Sequence, residues 1–318
     1  MTLDDVALTL EHEFQYGGAQ RLAAIFAERI GKDLYYIGDG VHRIPCWNRK
    51  VINAVPPEKY LFSLTVDKSK PISIKGKVHI KFMHSFETIR RLNGFEAAKD
   101  FIWITHRKRV YESALDLGYD VYLIPDGFIL YDHEPAFDIE KGGNLLASIS
   151  RIERDNRVEL AIDTAEGCGM PLCIIGTNKD HLYLEELKTR SGKEIEFLGE
   201  INETEKLAAL KKSILLLHAS DGKFRDYLYY SILDGLACGC VPICITPDIK
   251  QFEEINRLRI GKVVNTAAEA VSAVHEILDN YEGFKNRIEN FMVKFMLDQK
   301  NMLNRYLVTI GRIIDESG

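Results

Sequence analysis

Asp226 and Asp234 stand eight positions apart in the run Asp226 to Pro242, and a small-residue cluster follows at Gly235, Ala237, Cys238 and Gly239. A carboxylate accepts two hydroxyl hydrogen bonds at once, which suits the vicinal hydroxyls of a sugar or a ribose. The competing reading makes Asp226 a helix N-cap and Asp234 a solvated helix residue. Pro242 and the glycines break the run, so it reads as a loop carrying Asp226, a helix over 228–236 and a buried strand from Val241. Gly17-Gly18-Ala19-Gln20-Arg21 follows an apolar run and opens a helical pattern. Paired glycines let backbone approach a ligand closely, and a helix N-terminus favours an anion; a plain turn is the alternative. Arg151 opens the charged stretch RIERDNR, where Arg154 and Arg157 offer further guanidinium forks able to grip phosphate oxygens, and a solvated charged loop is the alternative. His84 ends an apolar run, at the position where open α/β sheets bind ligands. His106 is placed similarly and is the second choice. Arg107, Lys108 and Arg109 form a small basic cluster that reads either as an anion-facing patch or as a solvated helix face.

The elements that must position these residues alternate between strand and helix. Strands are expected at 6–10, 34–37, 61–66, 79–83, 101–104 and 121–124, with helices at 20–30, from 86, and at 108–117. Pro125-Asp126-Gly127 then makes a turn. The second half repeats the theme, with strands at 145–149, 172–175, 195–198, 214–217 and 241–245 and helices at 158–166, 203–211, 228–236 and 267–278. A last helical region runs over 281–314 with no strand after it. Such alternation argues for parallel, doubly wound sheets, and two sheets fit the length better than one. The boundary is expected between Phe128 and Gly143, where Asp132-His133-Glu134-Pro135 and Lys141-Gly142-Gly143 read as linker.

Composition excludes several function classes. The 318 residues allow two ordinary domains, and a net charge of −6 argues against broad nucleic-acid binding. The spacings of Cys46, Cys168, Cys173, Cys238, Cys240 and Cys244 match no zinc pattern, so they read as small buried hydrophobes in a reducing compartment. No uncharged apolar run is long enough to span a bilayer, and the acidic N-terminus lacks a signal-peptide n-region. A cytoplasmic location is expected, with peripheral membrane contact left open.

The Asp226–Pro242 segment resembles the signature of retaining GT-B glycosyltransferases of family 4, the group 1 transferases. There E-x7-E precedes A-(M/L)-A-C-G-x-P-V; here both glutamates are aspartates and the run reads L-A-C-G-C-V-P. The glycine loop resembles the family's GG-x-(E/Q)-R loop, and Arg151 its G-R-x4-K element, with Asn156 where the family has lysine. Pro125-Asp126-Gly127, Gly176-Thr177 and Phe197-Leu198-Gly199 resemble its I-P-N-G, G-x-G and F-x-G turns. His218-Ala219-Ser220 stands where the family usually has P-S.

The resemblance implies a GT-B fold: two Rossmann-like, doubly wound parallel-sheet domains facing a cleft. Residues 1–135 would form the acceptor side and 136–285 the nucleotide-sugar side, with 286–318 packing back on the first domain. It implies a nucleoside-diphosphate sugar as donor substrate, transfer with retention, and no cofactor or bound metal. Asp226 and His84 would lie at the donor sugar, Asp234 at the ribose, and Arg151 with Arg157 at the diphosphate. Gly17 and Gly18 would face the phosphates or the acceptor, Gly176 the donor, and Leu198 the base. The acceptor (glycan, lipid or small molecule) is not named by any motif. Two readings compete: a catalytically weak scaffold of the same fold, suggested by the departures at Asp226, Asp234 and Asn156, and a sugar-nucleotide epimerase or sugar phosphorylase.

Overall fold

The computed structural model describes residues 3–10, 18–37, 51–65, 73–83, 96–105, 108–124, 130–137, 141, 145–222 and 230–317. The chain divides into two units, residues 1–132 with 297–318, and residues 133–296. The first unit holds strands β1 (Val6–Leu10), β2 (Leu34–Tyr36), β3 (Val51–Asn53), β4 (Tyr60–Thr65), β5 (Val78–Phe82), β6 (Ile102–Thr105) and β7 (Asp120–Leu123). They form a sheet ordered β3-β2-β1-β4-β5-β6-β7, with every pair parallel. Helices α1 (Gly18–Ile30) and α2 (Lys108–Asp116) belong to this unit.

The second unit repeats the scheme. Strands β8 (Leu145–Ile149), β9 (Leu172–Ile175), β10 (Ile195–Gly199), β11 (Ser213–Ala219), β12 (Val241–Ile245) and β13 (Lys262–Val264) form a parallel sheet ordered β10-β9-β8-β11-β12-β13. Its helices are α3 (Val158–Cys168), α4 (His181–Arg190), α5 (Glu203–Lys212), α6 (Tyr230–Ala237), α7 (Glu253–Leu258) and α8 (Ala267–Asp279). The long α9 (Tyr281–Ser317) begins here and ends in the first unit.

Sequence explains these elements locally. Strands covered on both faces read as continuous apolar runs, and all five residues of β1 and of β12 are buried. Helix starts are marked by caps. Asn202 accepts from the Glu205 amide while Glu205 reaches back to the Asn202 amide, a full capping box for α5. Asp180 caps α4 and Thr266 caps α8 in the simpler way. Both sheets reverse direction of growth once, between β1 and β4 and between β8 and β11. Open α/β sheets bind ligands at the carboxyl ends of strands beside such a switch point. Among the described residues no helix is long and apolar enough to cross a membrane.

Candidate functional site

The carboxyl end of the second sheet is stitched into a rim by backbone hydrogen bonds that run past the strand ends. Ser150 N–H donates to Ile175 at 3.0 Å, Ile152 N–H to Thr177 at 2.9 Å and Gly176 N–H to Gly199 at 2.8 Å. Asp221, just after β11, donates its N–H to Asp155 at 3.0 Å. The loops after β8, β9, β10 and β11 therefore hold one another in place, on both sides of the switch point.

Arg151 sits on this rim with its side chain 53% exposed and paired with Glu153 at 2.7 Å. Asn156, where a lysine was expected from the resemblance, donates its side-chain amide to the Arg151 carbonyl at 2.8 Å. It braces the arginine's backbone and adds no charge. Gly176 has φ +154°, and a Cβ there would lie 1.7 Å from the Ser150 carbonyl oxygen. Only glycine lets the β9 loop approach the Ser150–Arg151 backbone this closely. Leu198 is half-buried at the end of β10, next to the Gly199 carbonyl that receives the Gly176 amide. Arg151, Gly176 and Leu198 thus belong to one backbone-linked set.

Arg157 is turned elsewhere. Its backbone is left-handed, φ 46°, and its Nε donates to Glu159 at 2.6 Å. Glu159 also accepts from the Tyr183 hydroxyl. Burial raises the Glu159 carboxyl, but these hydrogen bonds and the arginine outweigh it and hold the group below its ordinary range. Arg154 lies over the Tyr183 ring at 5.0 Å and pairs with Glu186 at 2.7 Å. These side chains line a cavity of about 320 Å³. Both candidates for the second diphosphate cation are therefore neutralised by carboxylates between α3 and α4.

Asp234 projects from α6 and is 1% exposed. Lys206 of α5 reaches it at 2.6 Å and also meets Glu203 at 2.7 Å, and His133 Nε2 lies 2.6 Å from Glu203. The solvated reading of Asp234 fails. Its carboxylate is held inside the fold by an ammonium, so a ribose would have to compete with Lys206 for it. His133, Glu203 and Asp234 bring their donor atoms within 4.8 Å of one another. The Lys206 ammonium already lies against both carboxylates, and a divalent ion there would have to displace it. Sequence reasoning missed this network. The Glu203-x-x-Lys206 spacing on one helix face was its one visible sign, and nothing local marked His133.

Gly18 is the first residue of α1, so a helix N-terminus does follow the glycine pair. Arg21, three residues on, is committed to Asp132 at 2.6 Å within the first unit. Asp226, His84, His106, Gly17 and the Pro125-Asp126-Gly127 turn lie outside the described residues.

The arrangement of two parallel sheets, each with one switch point, recurs in solved structures. The fold is GT-B. An Anabaena protein, HepE, crystallised with UDP and glucose, covers 98% of this chain and 98% of its own at a TM-score of 0.65 and 15% identity. The sucrose-phosphate synthase of Thermosynechococcus elongatus gives 0.66 and 13% identity over 98% and 99% of the two chains. AviGT4, a glycosyltransferase of avilamycin A biosynthesis, gives 0.56 and 14% identity over 94% and 98%. At these identities the likeness establishes the GT-B architecture and leaves chemistry to the residues. No protein-family model and no curated protein matches the sequence.

Proposed function

We propose that this GT-B protein is a glycosyltransferase that takes a sugar from a nucleoside-diphosphate sugar, with UDP the first nucleotide to test. The observation that carries the reading is the stitched rim at the switch point of the second sheet, which offers an exposed Arg151 on a braced backbone. HepE, of similar length and fold, was crystallised with UDP-glucose, which supports the choice of nucleotide. In this reading the donor diphosphate takes Arg151 from Glu153, and the guanidinium stabilises charge that develops on the leaving diphosphate. The leaving-group charge is met by side chain and backbone, so no metal is required. Asp226 and His84 act at the donor sugar, and transfer proceeds with retention. The first unit, residues 1–132 with 297–318 rather than the expected 1–135 with 286–318, bears the acceptor, and the second, residues 133–296, the donor.

The test is calorimetric titration with UDP, GDP, ADP and CMP and their sugar conjugates, without added metal, on the native chain and on Arg151→Gln. Charge-assisted hydrogen bonds contribute about 1.5–3 kcal/mol, so one diphosphate should bind selectively and lose roughly tenfold to hundredfold in the variant. Incubation of the sugar conjugate without acceptor separates an epimerase, and with inorganic phosphate a phosphorylase. A second reading is a scaffold that has lost its donor site, favoured by the internal neutralisation of Arg157 by Glu159 and of Asp234 by Lys206. Absence of binding by every nucleotide would establish that reading instead.

A further inference from the structure

The opposite end of the second sheet carries a different constellation. α7 ends at Arg259, whose backbone is left-handed at φ 55° and whose N–H caps the helix on the Asn256 and Ile255 carbonyls. A positive φ is uncommon away from glycine, and the cap fixes the direction in which this side chain leaves the backbone. Arg287 of α9 donates its Nε to the Arg259 carbonyl at 2.7 Å, and its guanidinium lies 4.5 Å above the Phe284 ring. Lys262, the first residue of β13, meets Glu276 of α8 at 2.5 Å. Together with the amides of Asn256 and Asn280 these groups line a cavity of about 370 Å³.

Charge pairing makes the cavity unusual in this molecule. Arg21, Arg151, Arg154, Arg157, Arg190, Arg257 and Arg312 each pair with a carboxylate. Among the described residues Arg259 and Arg287 meet none, although acids outnumber bases in the chain as a whole. Glu276, the cavity's own acid, is taken by Lys262. With Glu276 held by Lys262, the cavity keeps two guanidiniums on its lining, and an anion bound there collects paired hydrogen bonds from planar forks. Arg287 is already ordered by Phe284 and by the Arg259 carbonyl, so less side-chain freedom is lost on binding. The volume of about 370 Å³ falls at the small end of ligand sites, about 300–1,000 Å³, the scale of a single phosphorylated group.

We propose that this cavity is a phosphate-monoester site, with Arg259 and Arg287 as the ligands and Asn256 and Asn280 as flanking donors. Because all strands of the sheet are parallel, it opens at their starting end, away from the rim that carries Arg151. It is independent of the donor reading. A free phosphorylated metabolite and a phospholipid headgroup share this chemistry.

Phosphorus NMR titration of the full chain with glycerol 3-phosphate, and co-sedimentation with phosphatidylcholine vesicles with and without phosphatidic acid, test the site. Binding of glycerol 3-phosphate is expected, weakened roughly tenfold or more in Arg259→Gln and in Arg287→Gln, and unchanged in Arg257→Gln and Arg151→Gln. Sedimentation with phosphatidic acid vesicles alone, lost in Arg259→Gln, identifies the headgroup as the source and equally supports the site. Arg259 is exposed, so its variant keeps the test valid should Arg287→Gln fold poorly. Retained binding in Arg259→Gln, loss confined to Arg151→Gln, or no binding of either probe overturns the proposal.

Discussion

Lys206 carries two carboxylates on one ammonium, 2.6 Å from Asp234 and 2.7 Å from Glu203. The asymmetry of that trio has a measurable consequence. Lys206→Met leaves Asp234 buried without its cation, a change of the kind that costs about 3–5 kcal/mol. Asp234→Asn leaves Lys206 its bond to Glu203, so it should cost well under that. Urea midpoints of the two variants decide the matter, and equal losses would refute the assignment of Lys206 as the shared cation. A second residue couples stability to acid. His218, in the core beside Phe252 at 5.4 Å, is lowered by burial from the ordinary imidazole range to about 4. Between about pH 6.5 and 4 the unfolded chain binds a proton that the folded chain refuses. Stability therefore falls as pH drops through that window and this contribution levels off below it. At about 1.4 kcal/mol per pKa unit, the His218 share comes to about 3 kcal/mol. His218→Gln should flatten the native curve by that amount between pH 7 and 4; parallel curves for the two proteins would dispose of the idea.

At the scale of elements, the rim depends on one missing side chain. Gly176→Ala places a Cβ into the Ser150 carbonyl, at 1.7 Å, on a backbone with φ +154°. Overpacking of this kind costs roughly 1–3 kcal/mol, and the displaced backbone is the one that bears Arg151. Gly169, which ends α3 at φ 65°, has open space around the same atom. Gly169→Ala should therefore lower stability through conformation alone, by about 1–2 kcal/mol, and leave nucleotide affinity intact. Gly176→Ala should lose affinity in molecules that remain folded, a split that titration at matched folded fraction resolves. Which elements were legible follows from the same physics. β1, β9 and β12 were read to the residue because fully covered parallel strands are plain apolar runs, and β8, covered over its middle three residues, was read equally well. β3 and β13 were missed because each offers two adjacent apolar residues beside a polar one, whereas the equally short β2 stands in the apolar run Leu34–Ile37. α4 was missed although Asp180 announced its start; its buried pair, Tyr183 and Leu187, is no thinner than the Lys206 and Leu210 pair of α5, which was read. α7 spans six residues and sends one apolar side chain, Ile255, fully inward. The position of Arg151 on a strand-end loop was visible in sequence; the pairing of Arg157 with Glu159 and of Asp234 with Lys206 depends on neighbours brought together by folding.

For the whole molecule, the long α9 sets the order in which the two units can be completed. Its buried stripe runs Phe284, Ile288, Met292, Phe295, Gln299, Met302, Tyr306, Ile310 and Ile313, one unbroken helical period that the sequence displays. The period does not reveal that the stripe serves two cores. Residues up to Met296 belong with the second unit, where the Tyr281 hydroxyl donates to Gly239 at 2.9 Å. From Leu297 onward the helix belongs with the first unit. There Gln299 accepts from the Tyr131 amide at 2.7 Å, and Tyr306 packs on Phe26 and Phe82 at 5.5 and 6.0 Å. Met302, Tyr306, Ile310, Ile313 and Ile314 are all buried. At about 1.5–3 kcal/mol per buried apolar side chain, they supply on the order of 10 kcal/mol, comparable to the entire stability of a domain. A chain ended after Met296 should consequently keep the second unit folded and lose the first. Hydrogen exchange read by mass spectrometry should show protection abolished in β1, β4 and β5 and preserved in β8, β11 and β12. Survival of protection in β1 and β4 would mean that the first core closes without its C-terminal helix. The same dependence places the first unit late in synthesis. Its sheet is translated first, yet its core stays incomplete until the last turns of α9 emerge, so β1 to β7 must wait with apolar surface exposed while the second unit folds.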